Sequence, residues 1–182
     1  RQYQSITAGH PEYGHIPGAE ATTGPLGQGL GMSVGLALGN AIIQDRFELP
    51  EGMWTGKTVV LAGDGCMMEG ISAEAGSLAG HLKLNDLIVI YDANDICLDG
   101  PTSECFTENT TKRFESQGWA TITINGHDID EIHKAYQQAS IEKNRPTLII
   151  AKTTIGKYSP NRAGSSESHG KALGEDEALK TK

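Results

Sequence analysis

The sequence predicts an α/β domain with a doubly wound, mostly parallel sheet and helices on both faces. Two observations carry that expectation. Four short apolar runs, near residues 58–62, 86–91, 120–124 and 147–151, are rich in Val, Ile and Leu. The segments between them carry helical or turn patterns, so the strands alternate with crossovers. Strands that are apolar throughout, rather than every second residue, are those buried on both faces.

Taken in order, residues 7–26 are rich in Gly, Pro, His and Thr and read as irregular loop. From Gln28 to about Phe47 small and apolar residues recur at helical spacing, and Pro50-Glu51-Gly52 breaks the pattern. Thr58-Val59-Val60-Leu61-Ala62 is the first strand, closed by Gly63-Asp64-Gly65. Residues 69–81 read as a helix of small residues. Asp86 to Tyr91 forms the second strand and 92–107 an irregular stretch. A short helix near 109–117 leads to the third strand, Ala120 to Ile124. Residues 128–143 are amphipathic with Asp128 as cap, and Thr147 to Ala151 is the fourth strand. A Gly/Ser/Pro loop follows, then a polar tail from about 171.

The bulk numbers bound the function. The 182 residues suit one domain with a sizeable core, so 1–182 is read as a single unit. A formal charge of −8 argues against nucleic-acid or membrane-surface binding, which need basic patches. No apolar run reaches the ~18 residues of a membrane span. Cys66, Cys97 and Cys105 are odd in number and form no Cys-x-x-Cys pair, which fits a reducing, cytoplasmic setting. Arg1-Gln2-Tyr3-Gln4 carries no initiator Met, and the chain is expected to be a piece of something longer, incomplete at its N-terminus.

Ligands of open α/β sheets sit outside the carboxyl ends of the strands. There the first strand delivers Asp64 and the second delivers Asn94, with one crossover (residues 66–93) between Gly65 and Asn94. If the two strands are neighbours they lie ~5 Å apart. A carboxylate and an amide oxygen side by side suit Mg²⁺ or Ca²⁺ completed by phosphate oxygens and water. The flanking glycines admit a diphosphate, and a helix beginning near Glu69 would aim N–H groups at it. Alone, Gly-Asp-Gly is a common turn; the strand before it, the helix after it and Asn94 at the next strand end favour a metal pair.

Gly63-Asp64-Gly65 followed by Asn94 resembles the thiamine-diphosphate motif. Gly9-His10-Pro11-Glu12, the run Thr22 to Gly29, the run Glu69 to Ala75, Ser77 to Leu82, Leu98-Asp99-Gly100, Ala163-Gly164 and His169-Gly170 resemble the transketolase family in particular. The likeness runs over nearly the whole chain, in the family's order. It implies that Asp64, the Asn94 side chain and the Ile96 carbonyl hold the metal, and that Gly65 and Asn94 touch the diphosphate. Gly24, Pro25, Leu26 and Leu98 would line the cofactor. His10 would face the sugar substrate, and His169 would touch substrate and diphosphate. Glu69 would couple, across a homodimer, to the glutamate that activates the partner site's cofactor. The implied activity is transfer of a two-carbon ketol unit between sugar phosphates, with thiamine diphosphate and Mg²⁺ (or Ca²⁺). The activating glutamate and the phosphate-gripping arginines belong in the family to segments outside this sequence, so the chain alone is expected to be inactive.

Rival readings are a dihydroxyacetone synthase, a non-catalytic partner subunit that keeps the fold, and a nucleotide-binding protein. The last is disfavoured because the glycine-rich 24–31 stretch lacks Gly-Lys-Ser/Thr. His10 and His169 could otherwise be solvated loop histidines, and Glu69 could simply complement a helix dipole. His15, His81, His127 and His133 read as structural, Met67 and Met68 as packing residues, and Cys66 as a small buried thiol. Gly27, Gly31, Gly35 and Gly39 recur at i+4, which predicts close approach of another helix in the core or at a dimer interface. Three positions depart from the family pattern: Tyr158 stands where a second glycine is usual, Ser166 where histidine is common, and Asp95 where glycine or lysine is commoner.

Overall fold

In a computed structural model, which describes residues 10–50, 53 and 56–182, the four expected strands form one parallel sheet. They are β1 (Thr58–Gly63), β2 (Leu87–Ala93), β3 (Ala120–Asn125) and β4 (Thr147–Lys152), in spatial order β1-β2-β4-β3. Residues 1–9, and Glu51 and Gly52, named above, lie outside the described residues. The connection from β2 to β3 skips one place in the sheet, and β4 returns to fill it.

Among the described residues six α-helices accompany the strands: α1 (Gln28–Arg46), α2 (Asp64–Met68), α3 (Gly70–His81), α4 (Thr110–Ser116), α5 (Ile129–Ser140) and α6 (Glu175–Thr181). The side-chain alternation of the strands divides the core in two. Leu87, Val89, Leu148 and Ile150 join residues of α1, α3 and α4 on one face. Ile88, Ile149 and Ile124 meet Ala135 and Ala139 of α5 on the other. The expected cap of α5 is present, with the Asp128 carboxylate accepting from the Asp130 and Glu131 N–H groups.

Three differences from the sequence reading have physical causes. The helix expected over 69–81 is present as α3, but a further helix, α2, precedes it, and Glu69 in an extended conformation (φ −70°, ψ 138°) separates the two. The helix end nearest the Gly-Asp-Gly turn is therefore that of α2, which begins at Asp64 itself. The glycine stripe also divides. Gly27 is not in the helix but caps it in the left-handed region (φ +78°), and both Gly27 and Gly31 have a close neighbour from α3, Ile71. Gly35 and Gly39 face open space among the described residues.

The tightest helix contact lies elsewhere, where Gly76 and Gly80 of α3 meet the end of α4. Trp119 donates its indole N–H to the Gly76 carbonyl at 2.8 Å, and packs edge-on against Phe114 with ring centroids 5.0 Å apart. Both rings are buried.

The polar tail contains α6, which fastens the loop before it. Glu177 accepts from the Ser159 hydroxyl, from the Asn161 N–H and from the Asn161 amide, the last two at 2.8 Å. These bonds, the Ser159 hydroxyl foremost, lower the Glu177 carboxyl from 4.5 to about 2. A depressed carboxylate stabilises the fold above its unfolded value, and that contribution is lost as pH falls through the folded value. Amide exchange at Asn161 is therefore expected to stay protected at pH 5 and to lose protection between pH 4.5 and about 2. Glu177→Gln should remove that pH dependence.

Candidate metal and diphosphate site

β1 and β2 are adjacent and in register, with Gly63 opposite Asp92, so Asp64 and Asn94 leave the sheet side by side at its carboxyl edge. Asp64 is 4% exposed. Its Oδ2 accepts the N–H groups of Asn94 and Asp95, each at 3.1 Å, and its Oδ1 accepts the Tyr91 hydroxyl at 2.6 Å. Burial pushes the Asp64 carboxyl up, and those three hydrogen bonds offset only part of the rise. An anion so placed gains from a cation.

Asn94 is half-buried, and its side-chain oxygen accepts the Ile96 N–H at 3.0 Å, which folds 94–96 into an Asx turn. Asp95, between them, is left-handed at φ +63°. That conformation is why glycine suits the position and why an aspartate, which tolerates it better than most, can stand there. An antiparallel bridge between Ile96 and Pro101 closes the rest of the loop.

The loop before α1 reaches this edge. A Cβ on Gly65 would lie 2.9 Å from Leu26 Cδ1, and one on Gly27 would lie 2.8 Å from both Glu69 Cβ and Ile71 Cγ2. Leu26 and Gly27 are thus pressed toward Gly65 and the start of α3, while Gly24 and Pro25 before them are exposed. Leu26 and Leu98 are exposed apolar side chains, 55% and 63% respectively.

The remaining candidates are less tightly held. Glu69 is exposed at the break between α2 and α3 and makes no side-chain cap. His10 is exposed, its ring paired with Glu12 at 2.9 Å. His169 is half-buried after a short 3₁₀ turn, and its ring Nδ1 is buried without a hydrogen-bond partner. A buried polar atom left unpaired is costly, and a ligand group can satisfy it. The loop leading to His169 has a defined shape. Gly156 (φ +60°) leaves room for Ser168, and Tyr158, 75% exposed, is left-handed at φ +73°. The departure at Tyr158 therefore falls where a glycine would be unstrained. His127 is structural: its Nε2 accepts the Thr154 N–H at 2.8 Å.

The donor set suits a hard divalent ion. Asp64 uses three of about four acceptor directions, two of them on Oδ2, and Asn94 Oδ1 one of two, leaving room on Asp64 Oδ1 and on Asn94 Oδ1. Among the described residues no cluster of three His, Cys, Asp or Glu could cage a metal. An ion here would need further oxygens from a bound phosphate group and water.

Tyr91, the side chain bonded to Asp64, carries no signal of that role in the sequence. It reads there as a strand residue, and only the β1–β2 register reveals its approach to Asp64.

Fold and site together define a parallel α/β domain of the thiamine-diphosphate-binding class. Residues 1–182 match the family described as transketolase, thiamine diphosphate binding domain, and the chain belongs to the transketolase family. The transketolase of Geobacillus stearothermophilus is 50% identical over 188 residues, covering 100% of this chain and 28% of the relative. The crystal structure of Campylobacter jejuni transketolase is 46% identical with a TM-score of 0.86, again over 100% of this chain and 28% of that one. A Pichia stipitis transketolase solved in complex with sedoheptulose 7-phosphate is 42% identical with a TM-score of 0.75, covering 92% of this chain and 25% of that one. The chain thus spans little more than a quarter of the length of these relatives.

Proposed function

We propose that this chain supplies the metal and diphosphate half of a transketolase site, in an enzyme that transfers a two-carbon ketol unit from a ketose phosphate to an aldose phosphate. The observation that carries the reading is the buried Asp64 carboxylate, beside Asn94 at the end of the next strand and accepting three hydrogen bonds. Asp64, the Asn94 side chain and the Ile96 carbonyl hold Mg²⁺, with Ca²⁺ as a substitute. Gly65 keeps the approach to the backbone open for a diphosphate, and the Asn94 amide meets it.

Thiamine diphosphate, when bound, supplies the carbon nucleophile and electron sink for cleaving the bond beside a ketose carbonyl. Gly24, Pro25, Leu26 and Leu98 wall the site and keep water out. His10 hydrogen-bonds substrate oxygens, and His169 uses its unpaired Nδ1 for substrate or diphosphate and holds a proton for transfer. Glu69 couples this site to the one on a second copy. A homodimer is supported by α1, where Met32, Leu36 and Ile43 are exposed beside the open Gly35 and Gly39. Three free cysteines agree with a cytoplasmic setting, and no described helix is long and apolar enough to cross a membrane.

Calorimetric titration of the full-length protein with thiamine diphosphate tests the reading. Tight binding is expected with Mg²⁺ and little without it; metal-independent binding overturns it. Ribose 5-phosphate is expected to be a better acceptor than formaldehyde, and the reverse order would mark a dihydroxyacetone synthase.

A further inference from the structure

Tyr91 lies near the end of β2, opposite Ala62 of β1, and is 5% exposed. As a core ring it needs no hydroxyl, since phenylalanine would bury the same apolar area. A buried hydroxyl is retained where it has a partner, and here the partner is Asp64 Oδ1 at 2.6 Å. The Thr110 side chain, at the start of α4 and itself buried, lies within hydrogen-bonding reach of the phenol oxygen. The contact therefore links β2 and α4 to the residue that opens α2.

The two backbone N–H groups of Asn94 and Asp95 both bind Oδ2. They restrain rotation of the carboxylate about Cβ–Cγ, but through one oxygen only. A third bond, on the other oxygen, holds the carboxylate plane from its opposite edge. It also fills one of the two acceptor directions of Oδ1, so the remaining one has a defined heading.

The geometry points to Tyr91 as a positioning residue for a divalent cation, its hydroxyl orienting the Asp64 carboxylate before the ion arrives. The inference rests on the metal reading of Asp64 given above. Tyr91 itself touches neither ion nor substrate. A ligand held in place beforehand loses little freedom on coordination, so more of the contact energy goes into affinity. Partners that orient metal ligands in this way are worth about 10–100-fold in metal affinity.

The test is binding of thiamine diphosphate to the full-length protein, followed by calorimetry across a series of Mg²⁺ concentrations. Tyr91→Phe is expected to raise the Mg²⁺ concentration at half-maximal binding by about 10–100-fold. At saturating Mg²⁺ the cofactor affinity should return to that of the wild type. A packing role alone would instead weaken binding at every Mg²⁺ concentration, with no recovery, and that result overturns the inference. So does an unchanged Mg²⁺ half-point in Tyr91→Phe while the wild type remains Mg²⁺-dependent, which leaves the metal reading intact. A wild type with no Mg²⁺ dependence overturns both. Should Tyr91→Phe fail to accumulate as folded protein, Thr110→Val, which leaves the ring in place, is read by the same criteria.

Discussion

Replacing Asp64 by asparagine is expected to abolish Mg²⁺-dependent binding of thiamine diphosphate while leaving the metal-free protein at least as stable as the wild type. The two halves of that result come from one feature. Without a cation Asp64 is a buried anion, and burial raises its carboxyl above the ordinary value of 3.8. A carboxyl whose folded value is raised disfavours the fold once it ionises, so it subtracts stability as pH rises through that value. Asparagine is nearly isosteric and carries no charge. Its oxygen can still accept the Asn94 and Asp95 N–H groups, and its NH₂ can donate to the Tyr91 oxygen, which also has acceptor capacity. What asparagine lacks is the negative charge that draws a divalent ion. In melting experiments the wild type should gain stability from cofactor plus Mg²⁺, about 2.7 kcal/mol at a hundredfold excess over Kd. The variant should gain none. A variant much less stable than the wild type without metal would mean that Asp64 is there for the fold.

The second large effect is on stability. Gly80→Ala would place a Cβ 1.8 Å from the Gln117 carbonyl oxygen, 2.9 Å from its carbon and 3.2 Å from Trp119 Cδ1. The nearest obstacle is backbone, so no rotamer change relieves it; α3 and the end of α4 must move apart. That separation strains the Trp119 indole bond to Gly76 and opens the contact around Phe114 and Trp119. Overpacking costs about 1–3 kcal/mol and occasionally more, and a backbone obstacle puts this case at the upper end, a large share of the ~5–15 kcal/mol that holds a typical domain. Denaturant titration should show it as a displaced midpoint or as loss of folded protein. Gly70→Ala is the control. It sits at the start of the same helix with nothing within 4 Å of the added carbon, and should change stability by about 0.5 kcal/mol at most.

Much of the site is legible in the sequence because its signals are local. Asp64 and Asn94 each follow an apolar run that ends in small or turn-forming residues, and such runs make strands wherever they fall. The positions of Tyr158 and Asp95 are also legible as departures, since a residue where glycine is usual marks a backbone of special conformation. Both are left-handed in the fold. The glycine stripe of α1 misleads in part. Spacing shows which residues share a face but not whether anything covers it: Gly27 and Gly31 meet α3, Gly35 and Gly39 meet nothing among the described residues, and the tightest approach is made by Gly80.

The sequence by itself determined the α/β class, the four strands, the residue types at the carboxyl edge and the membership that they imply. Propensity, periodicity and turn chemistry act over a few residues, and the order of residues expresses them directly. Only the tertiary structure decided that β4 lies between β2 and β3, and that α6 fastens the loop before His169 through Glu177. It alone decided that Gly63 stands opposite Asp92, so that Tyr91 reaches Asp64. These facts depend on which distant segments pair and in what register. Burial and hydrogen bonding between whole elements set that choice, and it has no periodicity along the chain.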